Sequence, residues 1–278
     1  MHDFVKSGCK GTAFFLIGQI FFGKNADIRV FCVILHRMLT KTEAIVLHAF
    51  KYGETRMIVD TFTRTNGRLS FVVQLPKTTK GKMKKQFFQP LTLLNVESDI
   101  RPRLQLQKLS SAMILTPLPT LQMEPAKLSI TLFLAEFLYH ALKGEQRNEP
   151  LFDYVMSSLQ WLDGCNGHVA NFHLVFLMRM ARFLGFYPNL DGYEPGCCFD
   201  LRASTFCMEQ PPHRDVLPPD EADKVLLMMR MDYATMHVYH LTHHDRNRLL
   251  DIALTYYRIH LPAFPELRSL GVLQEMWG

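Results

Sequence analysis

The densest cluster of chemistry-bearing side chains is Lys77-Thr-Thr-Lys80-Gly-Lys82-Met-Lys84-Lys85, five lysines with no acid among them. Lysines cannot be packed this densely in a core, so the segment is expected to be an exposed loop. A cationic loop suits a polyanion, because each ammonium that meets a phosphate releases condensed counterions. Arg56, Arg64 and Arg68 lie a short way upstream and extend the expected nucleic-acid-binding patch. Phe87 and Phe88 follow the lysines and either stack on nucleobases or pack into a core at the start of a strand. A merely solvated surface is the competing use of the same lysines.

A second basic pair, Arg179 and Arg182, stands three residues apart on the most apolar helical segment, beside Phe176 and Phe183. Such a pair next to an apolar groove suits an acidic peptide that ends in apolar residues. Pairing with acids of the same region is the alternative.

Other constellations point away from catalysis and metal binding. Cys197, Cys198 and Cys207 sit close in sequence, with His213 behind them. Zinc needs four ligands converging on one ion, and adjacent thiols rarely share it, so no zinc is expected here. His237, His240 and His244 have the spacing of one helical face, but no carboxylate stands at an obvious ligand distance; a polar surface is expected. The chain has no G-x-x-x-x-G-K-[ST], H-E-x-x-H, G-x-S-x-G or G-x-G-x-x-G motif. It is therefore expected to bind rather than to catalyse.

The elements that must position these groups fall into two classes. Ala44–Ala49, Met57–Thr65, Arg68–Leu75, Leu91–Val96 and Leu104–Leu109 read as short strands. Leu69, Phe71, Val73 and Leu75 share one face of the third, and Asn66-Gly67 before it favours a hairpin turn. Five short strands in this length suit a small closed barrel, foremost the OB-fold. After Pro119 the pattern becomes helical over Ala126–Leu142, Leu151–Leu162, Val169–Tyr187, Asp220–Met231 and Arg246–His260, with Asp245 as N-cap of the last. The stretch 188–219 is rich in Pro, Gly and Asp and reads as a long loop. The expected class is α+β: an OB-fold nucleic-acid-binding domain at 38–118, then an all-α helical domain at 119–278.

Charge follows the same division. Residues 38–118 carry 13 Lys/Arg against 5 Asp/Glu, whereas 119–278 carry 13 against 19. A basic segment followed by an acidic one suggests different partners for the two. The first 37 residues differ from both. Their apolar run Thr12–Phe22 is too short to span a bilayer, and Met38 directly precedes a convincing strand. Residues 1–37 are expected to be a mis-called extension, with a signal peptide as the alternative. The six cysteines form no regular framework and suit reduced thiols in the cytoplasm.

Several of these segments resemble the bacterial recombination mediator family RecO, especially its Bacteroidetes-type members. Thr42-Glu-Ala-Ile-Val-Leu-His-Ala-Phe-Lys-Tyr-Gly-Glu-Thr is similar to the family's opening strand and turn. Asp60-Thr-Phe-Thr-Arg-Thr-Asn-Gly-Arg-Leu resembles its second hairpin, and the lysine loop with Gln89-Pro90 its basic stretch. Tyr256-Tyr257-Arg-Ile-His260, Leu267-Arg-Ser-Leu270 and Val272-Leu-Gln-Glu275 resemble its C-terminal helix and tail. The resemblance implies a role in DNA repair and recombination in the cytoplasm, at the nucleoid. It implies binding of single- and double-stranded DNA, annealing of complementary strands, and help in loading a recombinase. The partners it implies are RecR and the acidic, apolar-ended tail of the single-stranded DNA-binding protein. Many family members hold zinc on four cysteines; Cys197, Cys198 and Cys207 depart from that spacing. An RNA-binding barrel protein is the alternative function.

Overall fold

A computed structural model describes residues 39–76 and 83–276. The extension 1–37 and the lysines Lys77, Lys80 and Lys82 lie outside the described residues.

Five strands form the barrel: β1 (Thr40–Lys51), β2 (Arg56–Thr63), β3 (Gly67–Gln74), β4 (Leu93–Ser98) and β5 (Leu106–Thr116). They close in the order β1-β2-β3-β5-β4, with β4 pairing back onto β1. All pairings are antiparallel except β3 with β5. This is the OB-like order expected of the sequence. The β2–β3 turn has three residues, Arg64 to Asn66, and Gly67 takes φ +69° as the strand resumes. That is the three-residue hairpin with its glycine in the left-handed region.

Strand β1 explains itself by burial. Ala44, Ile45, Val46 and Leu47 are all buried, an apolar run with no alternation. Ala44 and Val46 join the barrel interior with Phe71, Val73 and Leu94. Ile45 and Leu47 point outward into the second core, with Phe62 and the helices. The strand is thus apolar on both faces because a helical layer covers its outside. Phe88 sits in a 3-10 turn (Lys85–Phe88) and is buried in the barrel core, with Phe87 packed against it. Of the two uses expected for this pair, core packing is the one the fold makes.

The second layer consists of α1 (Thr120–Met123), α2 (Pro125–Ala141), α3 (Glu149–Gly164), α4 (Phe172–Phe183), α5 (Pro219–Arg230), α6 (His243–His260) and α7 (Leu270–Met276). Helix α4 is buried almost all round, leaving Arg179 and Arg182 exposed. Helix α6 begins earlier than its sequence pattern suggested. Thr242, not Asp245, is its N-cap; the Thr242 hydroxyl accepts from the Asp245 backbone N–H at 3.1 Å and donates to the Asp245 carboxylate at 2.6 Å. The histidines do not share a helical face. His237 lies in a 3-10 turn, His240 outside any helix, and His244 in the first turn of α6.

The stretch 188–219 is not a plain loop. It contains β6 (Cys198–Asp200), β7 (Thr205–Cys207) and β8 (Val216–Leu217), a three-stranded sheet in the order β7-β6-β8. Phe199, Phe206 and Leu217 anchor it in the helical core.

Candidate nucleic-acid interface

Strands β2 and β3 carry side chains alternately inward and outward, as the two-residue period of a strand requires. Met57, Val59, Phe71 and Val73 fill the barrel. The outward set on β2 begins with exposed Arg56 and half-buried Ile58, then becomes buried at Asp60 and Phe62. The same hairpin therefore has one end in solvent and one end under the helices.

At the open end, the β1–β2 turn closes through the Tyr52 N–H donating to the Arg56 carbonyl at 2.8 Å. The Arg56 guanidinium lies 5.5 Å from the centre of the Tyr52 ring, which is 49% exposed. Arg56 is in register with Gln74, two residues before Pro76, so it stands where the lysine segment leaves the barrel. Lys84 and Lys85, at the far side of that segment, are exposed. Beside the hairpin runs β5, with Lys108 opposite Val72 and Leu106 opposite Ser70. Both Lys108 and Leu106 are exposed, as are Arg101 and Arg103 on the β4–β5 connection. Arg101 is paired with Asp99 at 2.9 Å. The pattern reading missed Lys108 and Tyr52. Lys108 had a legible signal, since it alternates with Gln107 and Leu109, which are both buried.

At the other end, Arg64 and Arg68 are half-buried and paired with neighbouring side chains and backbone. Arg64 pairs with Glu43 at 2.6 Å and with Asp153 of α3 at 2.5 Å, and lies 4.7 Å from the Phe152 ring centre. Burial opposes its charge, but the hydrogen bonds to Glu43 and Asp153 outweigh it and raise its pKa. Arg68 stacks 4.3 Å over Tyr139, donates through Nη1 to the Tyr139 carbonyl, and stands 4.0 Å from the Asp60 carboxylate. Burial lowers its pKa, with Asp60 and Tyr139 opposing. Both remain cations, since arginine stays charged in proteins. These two of the expected patch residues join the barrel to α2 and α3, whereas Arg56 stands in solvent. The Arg68 N–H adds a bond to the Glu145 carbonyl at 2.9 Å, and a Cβ on Gly67 would stand 2.4 Å from the backbone of Gln146.

Arg179 and Arg182 do come together. They edge a groove of about 300 Å³ whose walls include Met178, Phe183, Met228 and Met229. Arg179 lies 5.8 Å from the Tyr233 ring centre. Asp232 is held below its usual range chiefly by the Thr235 hydroxyl, with Arg179 as a lesser contributor.

Cys197, Cys198 and Cys207 fall at the β6–β7 hairpin. Cys197 is buried, while Cys198 begins β6 and faces Cys207 across the hairpin. His213 is engaged with Asp200 at 3.4 Å. Among the described residues, no group of three or more His, Cys, Asp or Glu is placed to hold a metal ion. Nor is any described helix long and apolar enough to cross a membrane.

Comparisons with known proteins agree with this architecture. The family model "Recombination protein O N terminal" matches residues 38–118, and "Recombination protein O C terminal" matches 123–270. The DNA repair protein RecO of Phocaeicola vulgatus is 48% identical over 241 residues, covering 87% of this chain and 100% of the relative. That of Bacteroides fragilis is 47% identical over 241 residues, with 86% and 100% covered. That of Flavobacterium psychrophilum is 33% identical over 245 residues, with 87% and 100% covered.

Proposed function

Because the chain belongs to the RecO family of DNA repair proteins, we propose that it grips DNA on the open end of its barrel and brings complementary single strands together. One observation carries this reading: the helices cover one end of the β2–β3 hairpin and leave the other exposed with Arg56 on it, Lys108 stands on the neighbouring strand, and Lys84 and Lys85 are exposed further along the chain. Lys77, Lys80 and Lys82 complete the grip in the segment between β3 and the 3-10 turn. Tyr52 offers a face on which a base can stack, worth about 1–3 kcal/mol per base in such sites. Phosphate contacts carry no sequence information, so binding is sequence-tolerant. The protein supplies charge and position for annealing and performs no bond chemistry of its own.

The groove edged by Arg179 and Arg182 suits the tail of the single-stranded DNA-binding protein. Its apolar end fits the methionine walls, and its acids meet the two guanidinium groups. RecR is the other partner in this reading, and recombinase loading follows from holding both the coated strand and its coat. The reading requires no metal.

The test uses the full chain with a labelled single-stranded oligonucleotide across a salt series, then annealing of its complement. Tight, steeply salt-dependent binding with faster annealing is expected. Tighter binding of RNA of the same sequence would move the function to RNA. For the groove, Arg179→Glu with Arg182→Glu should abolish binding of an acidic, apolar-ended tail peptide while DNA binding persists. Retained peptide binding by the folded variant would remove the groove from this role.

A further inference from the structure

The β6–β7 hairpin carries a pair of thiols that neither the DNA grip nor the groove uses. Cys198 and Cys207 are partners in the antiparallel register. Directly opposed residues in an antiparallel pair project from the same face, with Cα atoms about 4.5 or 5.5 Å apart according to the hydrogen-bond position. Either spacing lies within the range of about 4.4–6.8 Å that a disulfide spans. Both thiols are free and half-buried, and the Cys207 Sγ already lies 3.9 Å from the Cys198 carbonyl. The other face of the hairpin is fixed, because Phe199 packs on Phe206 with ring centres 4.9 Å apart. The loop that joins the strands is also pinned: the Ser204 N–H donates to the Asp200 carbonyl at 2.8 Å, and the Tyr256 hydroxyl donates to the Ser204 hydroxyl at 2.6 Å. The two cysteines are therefore held in register rather than brought together by chance.

We propose that Cys198 and Cys207 form a reversible cross-strand disulfide when the protein meets a small-molecule disulfide oxidant such as oxidised glutathione. The Cys198 thiolate attacks one glutathione sulfur, breaking that S–S bond and releasing one glutathione thiolate. The Cys207 thiolate then attacks the Cys198 sulfur of the mixed disulfide and expels the second glutathione. The protein loses two protons and two electrons, and the oxidant becomes two glutathione thiols. Burial, with Cys198 and Asp200 nearby, pushes the Cys207 thiol up, which suits it to the second step rather than the first. Cys197 is no rival partner for Cys198 on this face: it is buried, outside the strand pairing.

The full-length reduced protein should be incubated with oxidised glutathione, blocked with an alkylating reagent and mapped by mass spectrometry without reduction. A peptide link between Cys198 and Cys207, reversed by dithiothreitol, is the expected product. Cys207→Ser should instead accumulate a glutathione adduct on Cys198, whereas Cys165→Ser should leave the link unchanged. A Cys197–Cys198 link, or alkylation of both Cys198 and Cys207 after oxidation, would overturn the proposal. Because the wild-type protein and Cys165→Ser are mapped alongside, misfolding of a strand variant cannot decide the result.

Discussion

Arg56 and Arg68 stand on one hairpin, on its outward face, with the same side chain and opposite fates. Arg56 opens to solvent over an exposed tyrosine; Arg68 is clamped between Asp60, the Tyr139 ring and the Tyr139 carbonyl. The strands between them are eight residues long, roughly 25 Å at about 3.3 Å per residue. Over that length the surface passes from open to covered. The difference teaches that a count of basic residues does not locate a polyanion site. A guanidinium already paired with carboxylates and carbonyls has part of its charge compensated and some of its donors engaged before any phosphate arrives.

The largest effect on stability is expected at the covered end, from Gly67→Ala. The new Cβ would meet the Gln146 backbone at 2.4 Å, at a residue with φ +69°. Urea unfolding should show a loss of about 2–4 kcal/mol. An unchanged midpoint would mean that the hairpin tip and the α2–α3 connection can part freely. Arg68→Met comes next, at about 2 kcal/mol, because it leaves the buried Asp60 carboxylate without its guanidinium. The same loss from Arg56→Met would erase the contrast between the two ends.

Acid provides a lever within the covered region. Burial, with Arg246 adding to it, lowers the pKa of His173 to about 3 from 6.5. The unfolded chain therefore binds a proton below about pH 6.5 that the folded chain refuses. Stability from this group is complete above that pH and falls by up to about 1.4 kcal/mol per pH unit on the way down to about pH 3. His173→Leu should flatten this part of the pH–stability curve; a curve of unchanged slope would show that His173 does not carry it. The smallest effect on stability, within about 0.5 kcal/mol, is expected from Lys84→Ala and Lys85→Ala, at residues exposed at the 3-10 turn.

Much of this was legible in the sequence. Alternation in β3 and the apolar run in β1 gave the strands, and the Asn66-Gly67 pair marked their turn. The β6–β8 sheet was not legible, because strands of two or three residues among prolines and glycines are too short for a period to emerge. The covered state of Arg64 and Arg68 was hidden for another reason. Their partners Asp153 and Tyr139 lie far along the chain, and no local pattern announces a carbonyl as an acceptor. Lys108 was visible as an outward strand position but stood outside any charge run. The groove began as two arginines on an apolar helix; its other wall came from α5, which only the packing supplies.

The most direct test of the proposed DNA grip is the slope of log Kobs against log salt for single-stranded DNA, compared between variants of the exposed basic residues and of the paired arginines. The combined variant Arg56→Ala, Lys84→Ala, Lys85→Ala should lower the slope by roughly two, at about 0.7 for each lost phosphate contact. Arg64→Met and Arg68→Met, each examined alone and confirmed folded, should leave it unchanged. An unchanged slope in the triple variant, with a drop of about 0.7 in either junction variant, would contradict the placement of DNA at the open end.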